Sequence, residues 1–380
     1  MKVIPESVSN PAADGFHMPA EFEPQDRVWM LWPRRTDTWS FGAKPAQAQY
    51  AQIARTIARF TPVYVCVNEP DFKNAQAVFD GVDNVQVVEL TSDDAWIRDT
   101  GATFVVNGAG ELRAVDWHFN AYGGLYDGLY FPWDKDDEIA SKMAGIVGCD
   151  RYRPEEFILE GGSIHVDGEG TCLTTDMCLL SPGRSASVNG LEPWSEELRA
   201  WCEEKLRAYL GVEKVIWVKD GIDPEETNGH IDDVACFVRP GEVVVIDTDD
   251  EDYPFYKEAK AAQAILAATT DARGRTLKVH TLCLPKKPLY MTQEACDTID
   301  VDENAEPRVA DEPLIASYLN YLVTNKGVIV PQYGDENDAL AIEQLQAIYP
   351  DHEVVGCQSW EVVYGGGNIH CITQQQPSVA

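Results

Sequence analysis

The chain has 380 residues, of which 63 are Asp or Glu and 30 are Lys or Arg, so its formal net charge is −33. A field of this sign repels nucleic acids and anionic membranes and attracts small cations. Residues 1–14 lack the apolar segment of a signal peptide, and no stretch reaches the roughly 18 apolar residues of a membrane span. Ten cysteines lack paired metal-ligand spacing. We therefore expect a cytoplasmic protein with reduced thiols that binds no nucleic acid and no membrane.

A strand, a helix and a second strand follow one another five times along the chain. In the first copy, β-branched and aromatic residues predict strands at 27–33 and 63–67, and apolar residues at helical spacing predict a helix at 46–60. The same patterns predict the other helices at 137–147, 195–210, 256–268 and 337–348. They predict the other strands at 112–118, 172–180, 215–218, 243–247, 328–331 and 352–355.

Units of this kind cannot each bury a face of their own sheet, so they must pack on one another. We predict an α/β fold in which residues 1–380 form a single domain, a closed ring of five pseudo-symmetric ββαβ-type units. The repeat is supported by Gly-Gly-Ser-Ile-His at 161–165, which is matched by Gly-Gly-Asn-Ile-His at 366–370. In a ring the polar connections converge on the axis. These connections lie at 93–101, 160–170, 220–233 and 365–373.

The segment at 284–325 is the hardest to assign. It lies between the fourth and the fifth copy of the repeat. Its acidic stretch, 296–311, is predicted to be a solvated loop without a role in the site.

Cys371 follows three glycines and precedes a β-branched run that predicts a strand. Glycine allows a positive φ and the close approach of a ligand or of another segment. A thiol at such a junction is either an inert small side chain or a nucleophile. The cysteines that lack this setting are interpreted as structural, and they include Cys66, Cys172, Cys236, Cys283 and Cys357.

Two polar connections earlier in the chain supply carboxylates. The first places Asp99 near Trp96 and Ile97, whose apolar character favours burial, and a buried carboxylate needs a cationic partner. That partner is either Arg98 or a substrate. The second connection places Glu160 after an apolar run and before two glycines, where a structural role is the first interpretation.

The third connection, 220–233, contains a histidine and several acids. If the next strand begins near His230, its period of two places His230 and Asp232 on one face. His-x-Asp also occurs in zinc sites, although zinc favours further histidine or cysteine ligands. A cysteine, a histidine and carboxylates on separate connections suit a nucleophile, an acid–base group and a cation clamp instead. A metal site is kept as the alternative.

Trp-x-Arg-Asp-Thr-Gly lies at 96–101, Glu-Gly-Gly-Ser-Ile-His at 160–165, Asn-Gly-His-Ile-Asp at 228–232 and Gly-Gly-Gly-Asn-Ile-His-Cys-Ile-Thr-Gln-Gln at 365–375. With Met-Pro-Ala-Glu-Phe-Glu-Pro at 18–24, these motifs resemble the agmatine deiminase family nearly end to end. The resemblance implies the guanidino-group-modifying (pentein) fold, a five-bladed α/β propeller. It also implies hydrolysis of agmatine to N-carbamoylputrescine and ammonia, within putrescine metabolism, without metal or cofactor.

The resemblance and the chemistry of the residues together give the catalytic roles. Cys371 attacks the guanidinium carbon as a thiolate and forms a covalent amidino-cysteine, and His230 donates a proton so that ammonia leaves. Glu160 orients His230 and accepts a guanidinium N–H. Because neighbouring carboxylates raise the pKa of a thiol, the arriving cation is expected to help form the thiolate.

The same reasoning gives the substrate contacts. Asp99 and Asp232 are expected to clamp the planar guanidinium through bidentate contacts. Trp96 is expected to stack on the methylene chain, and Glu226 to meet the terminal ammonium. His165 and His370 are expected to point away from the site or to bond to the backbone.

Agmatine is expected to be preferred to arginine. Enclosing the carboxylate of arginine needs a dedicated cation, and among the polar connections only Arg98 is considered for that role. The acids of these connections are Asp93, Asp94, Asp99, Glu160, Asp220, Asp223, Glu225, Glu226, Asp232 and Asp233.

The same residues are also compatible with other functions. An arginine deiminase, a peptidyl-arginine deiminase or an amidinotransferase of the same fold would use the same nucleophile. A non-catalytic ring that serves as an interaction scaffold is the alternative from another class. We expect a homo-oligomer, either a dimer or a tetramer.

Overall fold

The computed structural model of the protein describes residues 1–222 and 226–379, so Asp223 and Glu225 of the third connection lie outside the described residues. The strands are β1 (Val3–Pro5), β2 (Phe16–His17), β3 (Gln25–Leu31), β4 (Val63–Val67), β5 (Val85–Glu89), β6 (Thr103–Asn107), β7 (Leu112–Val115), β8 (Arg151–Arg153), β9 (His165–Val166), β10 (Thr171–Thr175), β11 (Lys214–Val218), β12 (Ala235–Arg239), β13 (Glu242–Asp247), β14 (Lys278–Cys283), β15 (Leu322–Val323), β16 (Gly327–Gln332), β17 (Glu353–Gln358) and β18 (Gln374–Pro377). The α-helices are α1 (Lys44–Ile57), α2 (Glu69–Val78), α3 (Ile97–Thr100), α4 (Gly124–Asp127), α5 (Asp134–Asp137), α6 (Ile139–Val147), α7 (Asp176–Leu179), α8 (Ala186–Asn189), α9 (Glu196–Leu210), α10 (Tyr256–Ala267), α11 (Gln293–Cys296), α12 (Asp338–Ile348) and α13 (Trp360–Tyr364). Short 3₁₀ turns lie at Ser40–Ala43, Gly161–Ser163 and Ile231–Asp233.

Five sheets of the described chain share one arrangement, in which an antiparallel pair is followed, across a helix, by a parallel strand. In one of them β12 pairs antiparallel with β13, and β13 pairs parallel with β14 after α10. The corresponding sets are β18–β3–β4, β6–β7–β8, β9–β10–β11 and β15–β16–β17. The α/β class and the five strand–helix–strand units predicted from the sequence are confirmed.

The last strand of the chain belongs to the sheet of the first unit. Strand β18 pairs antiparallel with β3, with Gln374 opposite Trp29 and Gln375 opposite Val28. The indole N–H of Trp29 also donates to Oε1 of Gln376 (3.2 Å). This pairing fixes the segment 365–373, which precedes β18, against the first unit.

The helices cover the sheets with one apolar face each. In α9 the side chain of Ser195 caps the first turn by accepting from the N–H of Leu198 (3.1 Å), and the buried face continues through Cys202 and Leu206. Strand β13 is buried at every residue from Val243 to Ile246, as expected for a strand that is covered on both faces. No helix of the described chain combines the length and the apolarity needed to cross a membrane.

Several strand predictions are wrong in part, and those at 27–33 and 112–118 end early, at Leu31 and Val115. The strand predicted at 172–180 ends at Thr175, because the Thr175 hydroxyl accepts from the N–H of Cys178 (3.2 Å) and starts α7. The strand predicted to begin near His230 begins at Ala235. Before it, Asn228 and Gly229 have φ of 56° and 75°, so the chain turns and continues as the 3₁₀ segment Ile231–Asp233.

The acidic segment predicted to be a solvated loop is held by backbone hydrogen bonds. The N–H of Glu306 donates to the carbonyl of Leu129 (2.8 Å), and the N–H of Phe131 donates to the carbonyl of Asn304 (2.8 Å). The segment 304–313 therefore lies along residues 129–131 and over the cavity described below.

Candidate active site

The polar connections of the repeated units meet at Gly162. A Cβ atom on this residue would lie 2.6 Å from Nδ1 of His230, 2.9 Å from Oδ1 of Asp99 and 3.0 Å from Oδ2 of Asp232. Its backbone N–H donates to Oδ1 of Asp99 (2.9 Å). Three of the predicted site residues therefore converge on one point, and glycine is required there because any side chain would displace them.

Cys371 lies beside this point, and Asn320 holds it in place. Oδ1 of Asn320 accepts from the backbone N–H groups of His370 (2.9 Å) and Cys371 (3.3 Å). The amide nitrogen of Asn320 must therefore face the sulfur, to which it donates at 3.1 Å. Sγ also lies 3.7 Å from Oδ2 of Asp232. Burial and then the neighbouring carboxylates raise the pKa of Cys371 well above its usual value, as the sequence predicted.

His230 lies between two carboxylates. Its Nδ1 is 3.8 Å from Oδ1 of Asp99, and its Nε2 is 3.9 Å from Oε2 of Glu160. Burial alone would lower the pKa of His230, but the charge of Asp99 and its other neighbours raise it well above 6.5. Glu160 stays ionised because the Arg184 guanidinium, 2.6 Å away, overcomes the effect of burial and lowers the pKa of Glu160 to about 2. His230 is therefore charged, and neither ring nitrogen makes a hydrogen bond within the described residues.

The two aspartates predicted to clamp a guanidinium have different surroundings. Burial, together with repulsion by nearby carboxylates, raises the pKa of Asp99 to about 6, and the hydroxyl of Tyr122 donates to its Oδ2 (2.9 Å). Burial would also raise the pKa of Asp232, but a hydrogen bond from His370 lowers it below 3.8. Oδ1 of Asp232 has no hydrogen-bond partner in the described chain, so it is available to a ligand.

A cavity of about 850 Å³ leads to Cys371, and Trp96 lies on its wall. The indole of Trp96 stacks on Trp39, with ring centroids 5.1 Å apart, and its N–H donates to Oδ2 of Asp94 (3.1 Å). These contacts fix the ring with its exposed part toward the cavity. The contact of Trp96 with a methylene chain stays a prediction.

Glu226 also lines this cavity, where it forms an ion pair with Arg308. Arg308 further donates to the carbonyl of Gly365 (2.5 Å). Gly366, at φ 104°, passes so close to the Glu226 carboxylate that a Cβ there would clash with it. The prediction that 296–311 has no role in the site is therefore wrong, because Arg308 joins this segment to both sides of the cavity.

The prediction for His370 is wrong as well. Its Nδ1 lies 2.8 Å from Oδ2 of Asp232, and its Nε2 lies 2.9 Å from both carboxylate oxygens of Glu21. His165 behaves as predicted, since its Nδ1 accepts from the backbone N–H of Phe237 (3.3 Å).

The sequence did not reveal several residues that complete the site. Glu21 lies within the motif at 18–24, but nothing in that motif indicates a charged partner for a distant histidine. The others lie in segments without a recognisable pattern, and they reach the site only through the fold. These residues are Tyr122, Arg184, Arg308 and Asn320.

Within the described part of the chain, three groups of side chains have donor atoms close enough to hold a metal ion. They are Glu21–His165–His370, Glu160–Cys178–His230 and Asp232–Asp233–Cys371. In the first, Arg98 already pairs with Glu21 (2.9 Å), and in the second Arg184 pairs with Glu160. In the third, imidazole and amide N–H groups donate to the carboxylates. These donors fit ion pairs and a guanidinium ligand better than metal coordination.

Comparison with known proteins identifies the family. The model of the Porphyromonas-type peptidyl-arginine deiminase family matches residues 17–377. The chain belongs to this family. It is 50% identical to the agmatine deiminase of Pseudomonas aeruginosa over 370 residues, which cover 97% of this chain and 98% of that protein.

Solved structures agree with this assignment. One described as the agmatine deiminase of Enterococcus faecalis catalysing its reaction is 53% identical, with a TM-score of 0.94 and full coverage of both chains. A C. jejuni agmatine deiminase with substrate bound is 25% identical, with a TM-score of 0.78 over 95% of this chain and 96% of that one. The resemblance to agmatine deiminase inferred from the sequence motifs is confirmed.

Proposed function

We propose that this protein hydrolyses agmatine to N-carbamoylputrescine and ammonia through a covalent intermediate on Cys371. The observation that carries the proposal is a buried thiol beside an unsatisfied carboxylate oxygen of Asp232 and a charged His230. The site and its immediate support contain five buried carboxylates, those of Glu21, Asp99, Glu160, Asp232 and Asp233. The buried cations around them are Arg98, Arg184, His230 and His370. Among these groups the carboxylates outnumber the cations, which favours a cationic ligand such as a guanidinium.

The first half of the reaction forms the covalent bond. The guanidinium enters between Asp99 and Asp232, and its positive charge lowers the pKa of Cys371, so the thiol proton is lost to water. The thiolate attacks the central carbon, a C–S bond forms, and the π electrons move to nitrogen. His230 protonates the leaving nitrogen, the C–N bond breaks, and ammonia departs. The cysteine then carries a thiouronium that retains the aminobutyl chain.

The second half hydrolyses this intermediate. Neutral His230 takes a proton from a water molecule as that water attacks the same carbon. The C–S bond breaks, the hydroxyl proton passes to the departing sulfur and restores the thiol, and the amidine carbon becomes the carbonyl of N-carbamoylputrescine. Glu160 stabilises the charged form of His230 in both halves. Asn320 donates to the sulfur whenever it is a thiolate, which offsets part of the repulsion from the carboxylates.

The tail of agmatine lies along the cavity. Trp96 contacts the methylene chain, and the terminal ammonium reaches Glu226. Because Glu226 pairs with Arg308 in the structure, the ammonium competes with that guanidinium for the carboxylate. Arg98, Arg184 and Arg308 are each paired with a glutamate, so a substrate carboxylate finds no uncommitted arginine among these three.

The five similar sheets support a larger architecture. In this proposal they form a closed five-bladed α/β propeller, a single domain over residues 1–380, with the active site on its axis. The pairing of β18 with β3 supports closure, since it joins the last segment of the chain to the first unit. A homo-oligomeric state, dimer or tetramer, remains a prediction that analytical ultracentrifugation can test.

The proposed function is tested by product analysis. Purified protein with agmatine is expected to release ammonia and N-carbamoylputrescine in equal amounts, and a chelator is expected to change nothing. Peptidyl-arginine is expected to give far less product, and an acceptor amine added together with agmatine is expected to receive little of the amidino group. Turnover of the peptide at a comparable rate, or transfer of the amidino group to the amine, would establish one of the alternative functions instead.

A further inference from the structure

A chain of buried charged groups continues from Asp232 away from the substrate. His370 bridges Asp232 and Glu21 through its two ring nitrogens, at 2.8 and 2.9 Å. Arg98 donates to Oε1 of Glu21 (2.9 Å). Burial opposes ionisation of Glu21, but Arg98 and then His370 hold its pKa well below 4.5. An ionised carboxylate only accepts hydrogen bonds, so each nitrogen of His370 must carry a proton. His370 is therefore an imidazolium.

His165 provides an internal comparison. Its ring stacks on that of His370, with centroids 6.4 Å apart, and its Nε2 lies 3.6 Å from Oε2 of Glu21. Its Nδ1 accepts from the backbone N–H of Phe237, so His165 is neutral. Both histidines are buried beside Glu21, but only His370 hydrogen-bonds to Asp232.

We infer that His370, with Glu21 behind it, is a positioning residue that aims Asp232 at the substrate and keeps it ionised. This inference rests on the proposed function, in which Asp232 binds the guanidinium. His370 occupies Oδ2 of Asp232 and leaves Oδ1 without a partner in the described chain, directed to a ligand. It also balances part of the negative charge 3.7 Å from the sulfur of Cys371.

The charge of Asp232 depends on the cations around it. A fully buried carboxylate without a cation takes up a proton near neutral pH, and a protonated Asp232 would repel one N–H of the guanidinium. The charged groups that face His370 are Glu21, Asp232 and Arg98, with His165 stacked on it. His230 and Arg98 are the other cations near Asp232. Removal of His370 therefore leaves Asp232 with only more distant cations and raises its pKa.

His370→Gln and His165→Gln form a matched pair for the test, because both remove a buried imidazole beside Glu21. For His370→Gln, KM for agmatine is expected to rise at least about tenfold, with a smaller change in kcat. In the wild type Asp99, with a pKa of about 6, governs the acid limb of the pH profile of kcat/KM. In His370→Gln this limb is expected to move to higher pH, because the unpaired Asp232 is then protonated above that value. Glu21→Gln is expected to shift the limb in the same direction. For His165→Gln, kcat/KM is expected to stay within about threefold of the wild-type value, and the acid limb of its pH profile is expected to stay at the same pH.

A purely structural role would contradict the inference. In that case both histidine variants would lower the midpoint of heat unfolding alike, and neither would move the acid limb. Nitrogen-15 NMR of histidine-labelled protein without substrate gives a second, independent readout. The signal lost in His370→Gln is expected to be that of an imidazolium at pH 8, and a neutral ring there would overturn the inference. Because this spectrum needs no agmatine, it still decides the matter if the wild-type protein fails to turn agmatine over.

Discussion

Asp99 and Asp232 are both buried in the site, but their pKa values are shifted in opposite directions. The pKa of Asp99 is raised to about 6, chiefly by burial. The pKa of Asp232 is lowered, because its hydrogen bond with His370 outweighs burial. For Asp99 the folded state favours the protonated form, so its stabilising contribution is present below about pH 4 and lost as the pH rises through about 6. The ionised form at neutral pH costs about 3 kcal/mol of folding free energy.

Asp99→Asn and Asp232→Asn are therefore expected to change stability in opposite directions. Both should lower kcat/KM by at least about 100-fold, because an amide cannot balance the guanidinium charge. At pH 8, Asp99→Asn should raise the midpoint of heat unfolding, since it removes a buried, poorly compensated charge. Asp232→Asn should lower it, since it leaves His370 without one carboxylate. Activity assays and heat-unfolding scans under matched conditions check both statements, and equal shifts in the two variants would contradict them.

How well the sequence predicts a site residue depends on how far along the chain its interaction partners lie. Cys371, His230, Glu160, Asp99 and Asp232 lie in short motifs that combine glycines with reactive side chains, so their types and spacing are informative. Asn320 shows no such signal, because its contact with the sulfur of Cys371 spans 51 residues. The charge state of His370 likewise depends on Glu21, which is 349 residues away.

At the level of elements, the repeated strands and helices could be predicted from the sequence. Each buries one or both faces, and this burial gives the sequence a regular spacing of apolar residues. The helix predicted at 195–210 is observed at Glu196–Leu210, and the strand predicted at 63–67 is Val63–Val67. The errors lie where one side chain or a turn redirects the backbone, as at Thr175 and at Asn228. The segment 304–313 is an exposed loop, as its acidic composition predicted. Its hydrogen bonds with residues 129–131 and its place at the cavity could not be predicted, because they depend on contacts between distant parts of the chain.

Arg308, which lies in the segment 304–313, pairs with Glu226 on the cavity wall, and this contact leads to a prediction for Glu226. Glu226→Gln is expected to raise KM for agmatine about tenfold or more with little change in kcat, because it removes a contact made equally in the ground and transition states. Pentylguanidine, in which a methyl group replaces the ammonium, is the matched substrate, and its kcat/KM should be nearly unchanged. Steady-state kinetics on both substrates decide the matter. An equal loss on both would show that Glu226 supports the segment rather than binding the ammonium.

For the whole molecule, the net charge of −33 favours a dication over a zwitterion. We expect agmatine to be preferred to arginine by at least about 100-fold in kcat/KM, or about 2.7 kcal/mol. Arg184 and Arg308 lie around the site as well as Arg98, which the sequence suggested, and each of these arginines is paired with a glutamate. Rates on both substrates at matched ionic strength test this prediction. Arginine within tenfold of agmatine would show that the acidic cavity does not select the substrate.

The central claim is that Cys371 forms a covalent bond with the substrate. Mass spectrometry of protein quenched in acid during turnover, followed by peptide mapping, measures it most directly. We expect an added mass equal to agmatine less ammonia on the peptide that contains Cys371. The adduct should be absent in Cys371→Ser, which should also lose at least ~2 kcal/mol of transition-state stabilisation. Cys357→Ser, which changes a buried thiol bonded to Thr56, should form the adduct at the wild-type rate. Full turnover by Cys371→Ser, or an adduct on another residue, would contradict the account.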